Sequence, residues 1–399
     1  LREQAEDEFH PEPVADDAVA GAKNRLMARG AEALGLEHRP IRRNVDGCRG
    51  LGRCLQGCPE GHKRSVDRTL LADAEAAGAT VVSSVEVETV LTSRGRAVGV
   101  LSTAAGGGAV RVMAAHAVVL AASAVQTPVL LLASGLAQGP VGEHFQAHPG
   151  VSMSGRFPEP VRMWEGASQG HEVTGLRHEG LKFEVLGMGV DLLAARLGGV
   201  GADLAHHIEE LAHHADWGVA VRAEAHGRVQ RVRGRTVVRY RPTRRDVARF
   251  RRGLRVMGEM MLAAGAEVVD PGVRGFDRAV DDPRRLRHLE ERGPRSAAAF
   301  TAAITHMFGT ARMGSDPARS VVGPDFSHHN VAALHVADSS VFPTNIGVNP
   351  QIPIMALAVL CARRVAGVDL DQTTATDATA TTTTGVAPPH RPAPTEDPR

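Results

Sequence analysis

Residues 306–358 constrain this chain more than any other stretch. They open as HMFGTARMG, from His306 to Gly314, and close as HVADSSVFPTNIGVNPQIPIMALA, from His335 to Ala358. A histidine precedes a Gly-Thr pair. An acid, Asp338, ends the apolar strand ALHVAD. Asn349 then stands at the mouth of an apolar helix whose first turn holds Pro350 and Pro353, a place where proline is tolerated because the first amides of a helix have no intrahelical acceptor. A histidine before a turn, an acid ending a strand and an asparagine at a helix mouth thus follow in order.

That order resembles the C-terminal signature of the glucose–methanol–choline (GMC) flavoprotein oxidoreductases. VVLAASAVQTPVLLLASGL, from Val118 to Leu136, followed by VGEHFQAHP, resembles the mid-chain signature of the same family. CRGLGRCLQGCPEGHKRS, from Cys48 to Ser65, is similar to the Cys-rich loop of a bacterial subset that includes long-chain alcohol oxidase-like proteins. The resemblance implies a mixed α/β (α+β) fold: an FAD-binding domain of the two-dinucleotide-fold type with an inserted antiparallel-sheet substrate domain. The expected division is a partial FAD-binding domain with the Cys-rich loop over 1–150, a substrate-binding domain over 151–300, the C-terminal part of the FAD-binding domain over 301–368, and a disordered tail over 369–399. That tail is Thr, Ala and Pro with few bulky apolar residues.

Lys and Arg number 46 against 45 Asp and Glu, a balance that argues for neither nucleic acid nor an anionic membrane as partner. No run approaches the length of uncharged apolar chain that spans a bilayer, so no transmembrane segment is expected. The expected location is cytoplasmic, with peripheral membrane association left open. The chain opens on LREQAEDEFHPEP, neither a signal peptide nor an initiator methionine. It holds no G-x-G-x-x-G turn to cradle a pyrophosphate on backbone amides and a helix N-terminus. The nearest glycine cluster, Gly106-Gly107-Gly108, reads as a hairpin tip. The expectation is therefore that the N-terminal ADP-binding unit is missing.

Hydrophobic periodicity outlines the rest. A helical pattern through Ala31, Leu34 and Leu36 stops at Pro40, and another runs from Val66 to Ala77 before Gly78. VVSSVEVETVL reads as a strand, residues 96–120 as a hairpin ending in the buried strand Ala117–Ala121, and Thr127–Ala133 as a helix stopped at Gly135. WGVAVRAEA and TVVRYRP alternate like antiparallel strands. Thr243 caps a long helix in which Val247, Phe250, Leu254, Met257 and Met261 recur at helical spacing up to Gly265.

Alcohol oxidation by a flavin removes a hydroxyl proton and a carbon-bound hydride, so the site needs a base that titrates near neutrality, which histidine does. The resemblance puts His306 at that position and makes Asn349 a hydrogen-bond donor to the substrate oxygen; a plain N-cap is the simpler role for Asn349. It also assigns cofactor contacts to Val87, Ala122, Ser123, Asp338, Ser339, Pro350 and Gln351, with FAD as cofactor and the helix start stabilising negative charge on the flavin N1–C2=O edge. Val87 equally suits an ordinary core position, and Asp338 a turn cap. Ser123 stands where the family turn carries glycine.

Cys48, Cys54, Cys58 and Pro59 resemble a ferredoxin-like run with Leu51 in place of the second cysteine. Three readings stay open: a three-iron iron–sulfur cluster, a zinc site completed by His62, or a structural loop. Cys361 reads as a small buried hydrophobe. The pairs His206-His207, His213-His214 and His328-His329 lack an accompanying carboxylate motif and read as solvated, with His207 and His214 on one helix face. The functional expectation is an FAD-dependent oxidoreductase acting on a small-molecule alcohol, reoxidised by oxygen or by an electron-transfer partner. The alternative is a truncated, non-catalytic or partner-dependent fragment of such an enzyme.

Overall fold

The computed structural model describes residue 9 and residues 11–14, 17–194 and 199–368. The tail expected to be disordered lies outside these. In chain order, helix α1 (Ala22–Ala33), strand β1 (His38–Pro40) and helix α2 (Leu70–Ala76) precede three antiparallel strands, β2 (Val85–Ser93), β3 (Arg96–Ala104) and β4 (Gly108–Met113). The β3–β4 turn falls at Ala105–Gly107, as the glycine cluster predicts. Strand β5 (Val118–Leu120) then feeds α3 (Ser123–Ala133).

Next come β6 (Gln146–Arg156), β7 (His171–Val173), β8 (Leu181–Val185), β9 (His214–Val221) and the hairpin β10 (Arg228–Val232) and β11 (Arg235–Arg239). They are followed by α4 (Arg244–Ala263), β12 (Val268–Asp270), α5 (Pro283–Arg292), β13 (Ala302–Phe308), β14 (Leu334–Val336) and α6 (Gln351–Ala366).

The antiparallel sheet expected over 151–300 reaches beyond that range. Its path runs β1-β7-β8-β9-β6-β12, and β13 also pairs with β6. Every residue of β9 is buried, which suits a central strand covered on its faces rather than an edge. Helix α4 supplies part of that cover. Thr243 accepts from the Asp246 amide while the Asp246 carboxylate accepts from the Thr243 amide, a complete capping box. Val247, Phe250, Leu254, Met257 and Met261 are all buried on one stripe within a core that includes Trp217, Phe183 and Met153. α1 crosses α4 closely. A Cβ on Gly30 would run into the Met260 carbonyl.

The second core gathers β5, β14, α3 and the loops around them, including Val118, Leu120, Leu131, Phe308, Val321 and Val336. β14 pairs parallel with β5, Leu334 opposite Val118. Helix α3 starts at Ser123, four residues earlier than the sequence predicts, and carries Pro128 inside it. Pro128 has no amide to give the Ala124 carbonyl. The Thr310 hydroxyl, fully buried, donates to that carbonyl at 2.6 Å instead. The threonine of the Gly-Thr pair thus repairs a helix that proline would otherwise leave unsatisfied.

Two smaller expectations change. α1 ends at Ala33, so Leu36 lies outside it and β1 joins the large sheet. His207 and His214 do not share a helix. His207 sits in the short helix Ala202–Glu209, while His214 opens β9 and is buried.

Candidate active site

His306 lies in β13 where the ladder with β6 loses its regular register. Ile304 pairs with Pro149 and Met307 with Ala147, so Thr305 and His306 together face His148. An extra residue of this kind bends the strand and re-aims a side chain, which is why bulges recur beside reactive centres. Here it brings the two imidazoles together, Nδ1 to Nδ1 at 3.0 Å, with the rings stacked at 26° and centroids 5.3 Å apart. Burial pushes His306 below the usual histidine range; the Glu184 carboxylate pulls it back and Lys182 pushes it further down. His148 is driven to about 3 by burial first, then by His306 and Lys182. Both rings are therefore neutral at neutral pH, and one must donate to the other.

Asn349 is not the cap of α6. Pro350 occupies the N-cap position, and no side chain caps the helix. The Asn349 carboxamide turns instead to β8. Lys182 Nζ donates to Asn349 Oδ1 at 2.6 Å, and Asn349 Nδ2 donates to Glu184 Oε2 at 3.3 Å. Lys182, 3% exposed, also pairs with Glu184 at 2.7 Å and Glu172 at 3.1 Å. Burial works to raise the Glu172 carboxyl, but Lys182, Arg39 and Arg177 outweigh it and hold it below the usual carboxylate range. His306 and Asn349, 43 residues apart in the chain, are thus linked through the charges of Lys182 and Glu184 on β8. Sequence reasoning missed His148, Lys182, Glu184 and Glu172. His148 stood in a quoted signature stretch; the other three stand in alternating strand sequence that carries no motif.

Asp338 is buried and takes the cap role that was its simpler reading. Its carboxylate accepts from the Ser340 amide at 2.7 Å, capping the turn Ser339–Val341. It also accepts from the Ser123 amide at 3.0 Å and from the Thr127 hydroxyl. Ser123 holds φ at +80°, the left-handed region that favours glycine. Asp338 therefore clamps the Ala122–Ser123 turn at the end of β5. Ala122 and Ser123 are exposed beside that clamp, and Ser339 is half-buried. Val87 is 40% exposed on β2 rather than in the core.

These features suit FAD in two respects. The first amides of α6 carry no side-chain cap, and Gln351 at its start is exposed, so the positive end of the helix dipole is open to an electron-rich group. The Ser123 turn, with its positive φ, is exposed at the end of β5.

The three cysteines of the Cys-rich loop lie near one another. Cys48, Cys54, Cys58 and His62 border one cavity of about 20 Å³. Among the described residues, however, no three His, Cys, Asp or Glu side chains are grouped as a metal ion would need, so the iron–sulfur and zinc readings gain no support here. His62 is engaged elsewhere, through Nδ1 to the Asp46 carbonyl at 2.7 Å and Nε2 to Glu60 at 3.1 Å. Burial works to raise the Cys58 thiol, but the backbone amides of Lys63, Glu60, His62 and Gly61 outweigh it and lower it. Cys361 is buried, as expected. A larger cleft, about 620 Å³, lies between the His144 loop and the β10–β11 hairpin, lined by Glu143, His226, Arg239 and Tyr240, and includes neither His306 nor Asn349.

Comparison with known proteins bears on the whole arrangement. The GMC oxidoreductase N-terminal family model matches residues 13–150 and the C-terminal one residues 223–358. The first match overturns the expectation that the N-terminal unit is missing: family N-terminal sequence is recognisable here without a glycine-rich phosphate turn. An uncharacterized GMC-type oxidoreductase of Mycobacterium tuberculosis is 35% identical over 86% of this chain and 54% of its own length. The long-chain-alcohol oxidase FAO1 of Arabidopsis thaliana is 27% identical over 87% of this chain and 50% of its own. The chain thus spans about half the length of these relatives. Among solved structures, pyridoxine 4-oxidase from Mesorbium loti superposes with a TM-score of 0.66 at 17% identity, covering 90% of this chain and 72% of that one. A formate oxidase of Aspergillus oryzae gives 0.63 at 14% identity, covering 86% and 70%.

Proposed function

Because this chain belongs to the GMC oxidoreductase family, we propose that it oxidises an alcohol CH–OH group with FAD as cofactor, His306 and Asn349 meeting the substrate oxygen. The observation that carries this reading is the strand bulge that turns His306 toward His148, beside the β8 charges that hold Asn349. The Arabidopsis relatives named as long-chain-alcohol oxidases favour a long-chain alcohol.

The chemistry asked of the side chains follows from their partners. A general base must be neutral when the alcohol arrives, and burial keeps His306 so. With His306 Nδ1–H donating to His148 Nδ1, the lone pair of His306 Nε2 is free to take the hydroxyl proton. Asn349 Nδ2 carries two hydrogens. Glu184 accepts one, and the other is available to the alkoxide that develops as the proton leaves. FAD, when bound, supplies the hydride acceptor. Asp338 keeps the Ser123 turn in place, and Pro350 and Gln351, at the uncapped start of α6, would meet the electron-rich edge of the flavin. Val87, Ala122 and Ser339 are the remaining proposed cofactor contacts.

His306→Ala should lower the rate of flavin reduction by about a hundredfold or more, the usual worth of a positioned acid–base group. Asn349→Ala should cost about ten- to a thousandfold, comparable to one oxyanion donor. Both should retain FAD, read from the visible spectrum after gel filtration. An unchanged reduction rate in His306→Ala across the pH range would remove the base from this scheme.

A further inference from the structure

Asn349 can serve the substrate oxygen only if its NH2 end, and not its carbonyl end, points there. A carboxamide in open surroundings takes either of two orientations, which differ by exchange of O and N. Around Asn349 the choice is not open. One side of the group meets an ammonium, which has only hydrogens to offer, and the other meets a carboxylate, which has only acceptors. Turning the amide over would place Nδ2 against Lys182 Nζ and Oδ1 against Glu184, donor on donor and acceptor on acceptor.

We infer that Lys182 is the positioning residue of this site: its ammonium, held between Glu172 and Glu184, selects the one Asn349 orientation that offers an N–H to the substrate. The inference rests on the function proposed above and goes beyond it, because it assigns a role to a residue that would act through Asn349. Three features of this cluster support it. Lys182 stands on β8, a strand buried along its whole length, so the ammonium cannot retreat to water. Its two carboxylate partners are themselves fixed, Glu172 by Arg39 at 2.8 Å and Arg177 at 3.2 Å, and Glu184 by Lys182 and Asn349. The Lys182–Asn349 contact, 2.6 Å, is also shorter than the Asn349–Glu184 one, 3.3 Å, so the lysine is the closer of the two constraints. A charge-assisted bond of that length holds its acceptor firmly.

The closest alternative is that Lys182 merely neutralises two buried carboxylates. Removing it alone would leave Glu184 without a charged partner, since only Glu172 keeps Arg39 and Arg177, and the variant would risk failing to fold for that reason. Glu184→Gln is therefore the background for the test, since glutamine still offers an oxygen to Asn349 Nδ2 while removing the charge. In that background Lys182→Met, Asn349→Ala and the combination of both are compared by the rate of flavin reduction. Lys182→Met is expected to lower the rate about tenfold when Asn349 is present, and by less than about twofold when it is alanine, because interacting residues are non-additive. Equal loss in both would overturn the positioning role.

A second readout does not depend on turnover. The chain has five asparagines, so 15N-asparagine labelling with Asn349→Ala as the assignment control isolates the Asn349 side-chain amide by NMR. The resonance pair should shift and broaden in Lys182→Met; an unmoved pair would overturn the inference even if activity fell. If Asn349→Ala left flavin reduction untouched, the functional reading would fail instead, and the NMR result would still decide whether Lys182 orients the amide.

Discussion

Asp338 shows how a single side chain can serve the site without being its chemistry. Three donors converge on its carboxylate, and two of them, the Ser123 amide and the Thr127 hydroxyl, come from a segment more than two hundred residues away. Bonds to a charged acceptor contribute about 1.5–3 kcal/mol each, and their donors are costly to leave unpaired in the interior. Asp338→Ala should therefore destabilise the fold by at least about 2 kcal/mol in denaturant titrations. Ser123→Gly should be neutral or slightly stabilising, since the glycine adopts φ of +80° without steric cost. Were Asp338→Ala to lose only FAD and no stability, its role would be cofactor contact alone. The aspartate at the end of ALHVAD was legible as a cap from its place after an apolar strand. Its second attachment was not, because nothing in either segment marks the pairing of β5 with β14.

Among the elements, α4 was the most legible and its neighbour α1 the least. Thr243, the apolar stripe from Val247 to Met261 and the stop near Gly265 are local signals, each set by chain geometry within one or two turns. α1 is also helical in pattern, but its sequence does not say that Gly30 is the point where it crosses α4. The missing Cβ lets the two backbones approach. Gly30→Ala should consequently cost about 1–3 kcal/mol or more through overpacking, although alanine is the better helix former. A thermal melt decides between the two effects: a raised Tm would mean that propensity outweighs the clash. The start of α3 was misread for a related reason. Pro128 argues against helix locally, and the donor that makes it tolerable, Thr310, arrives from a distant loop.

Across the whole molecule, buried imidazoles couple folding to pH. Burial, reinforced by a neighbouring histidine in each case, drives His148 to about 3 and His171, His214 and His328 to about 4. In the unfolded chain these groups titrate near 6.5. A folded pKa below the unfolded one means that the unfolded state binds more protons, so the stability they contribute is complete above about pH 6.5 and is lost as pH falls toward 4. Unfolding free energy should thus decline already between about pH 6.5 and 5, above the range in which ordinary carboxylates titrate. A flat profile over that interval would mean these imidazoles are not buried as neutral groups.

The same burial marks the boundary of what could be read from the chain. The β3–β4 turn and the capped helix α4 rest on residues close in sequence, where spacing carries the physics, and the candidates His306 and Asn349 come from family resemblance in local stretches. The partners that give those candidates their state do not. His148 meets His306 through a bulge, and Lys182 and Glu184 reach Asn349 from an unmarked strand. Burial, charge pairing and the orientation of an amide arise only when segments far apart in the chain are brought together, and it is the tertiary structure that brings them.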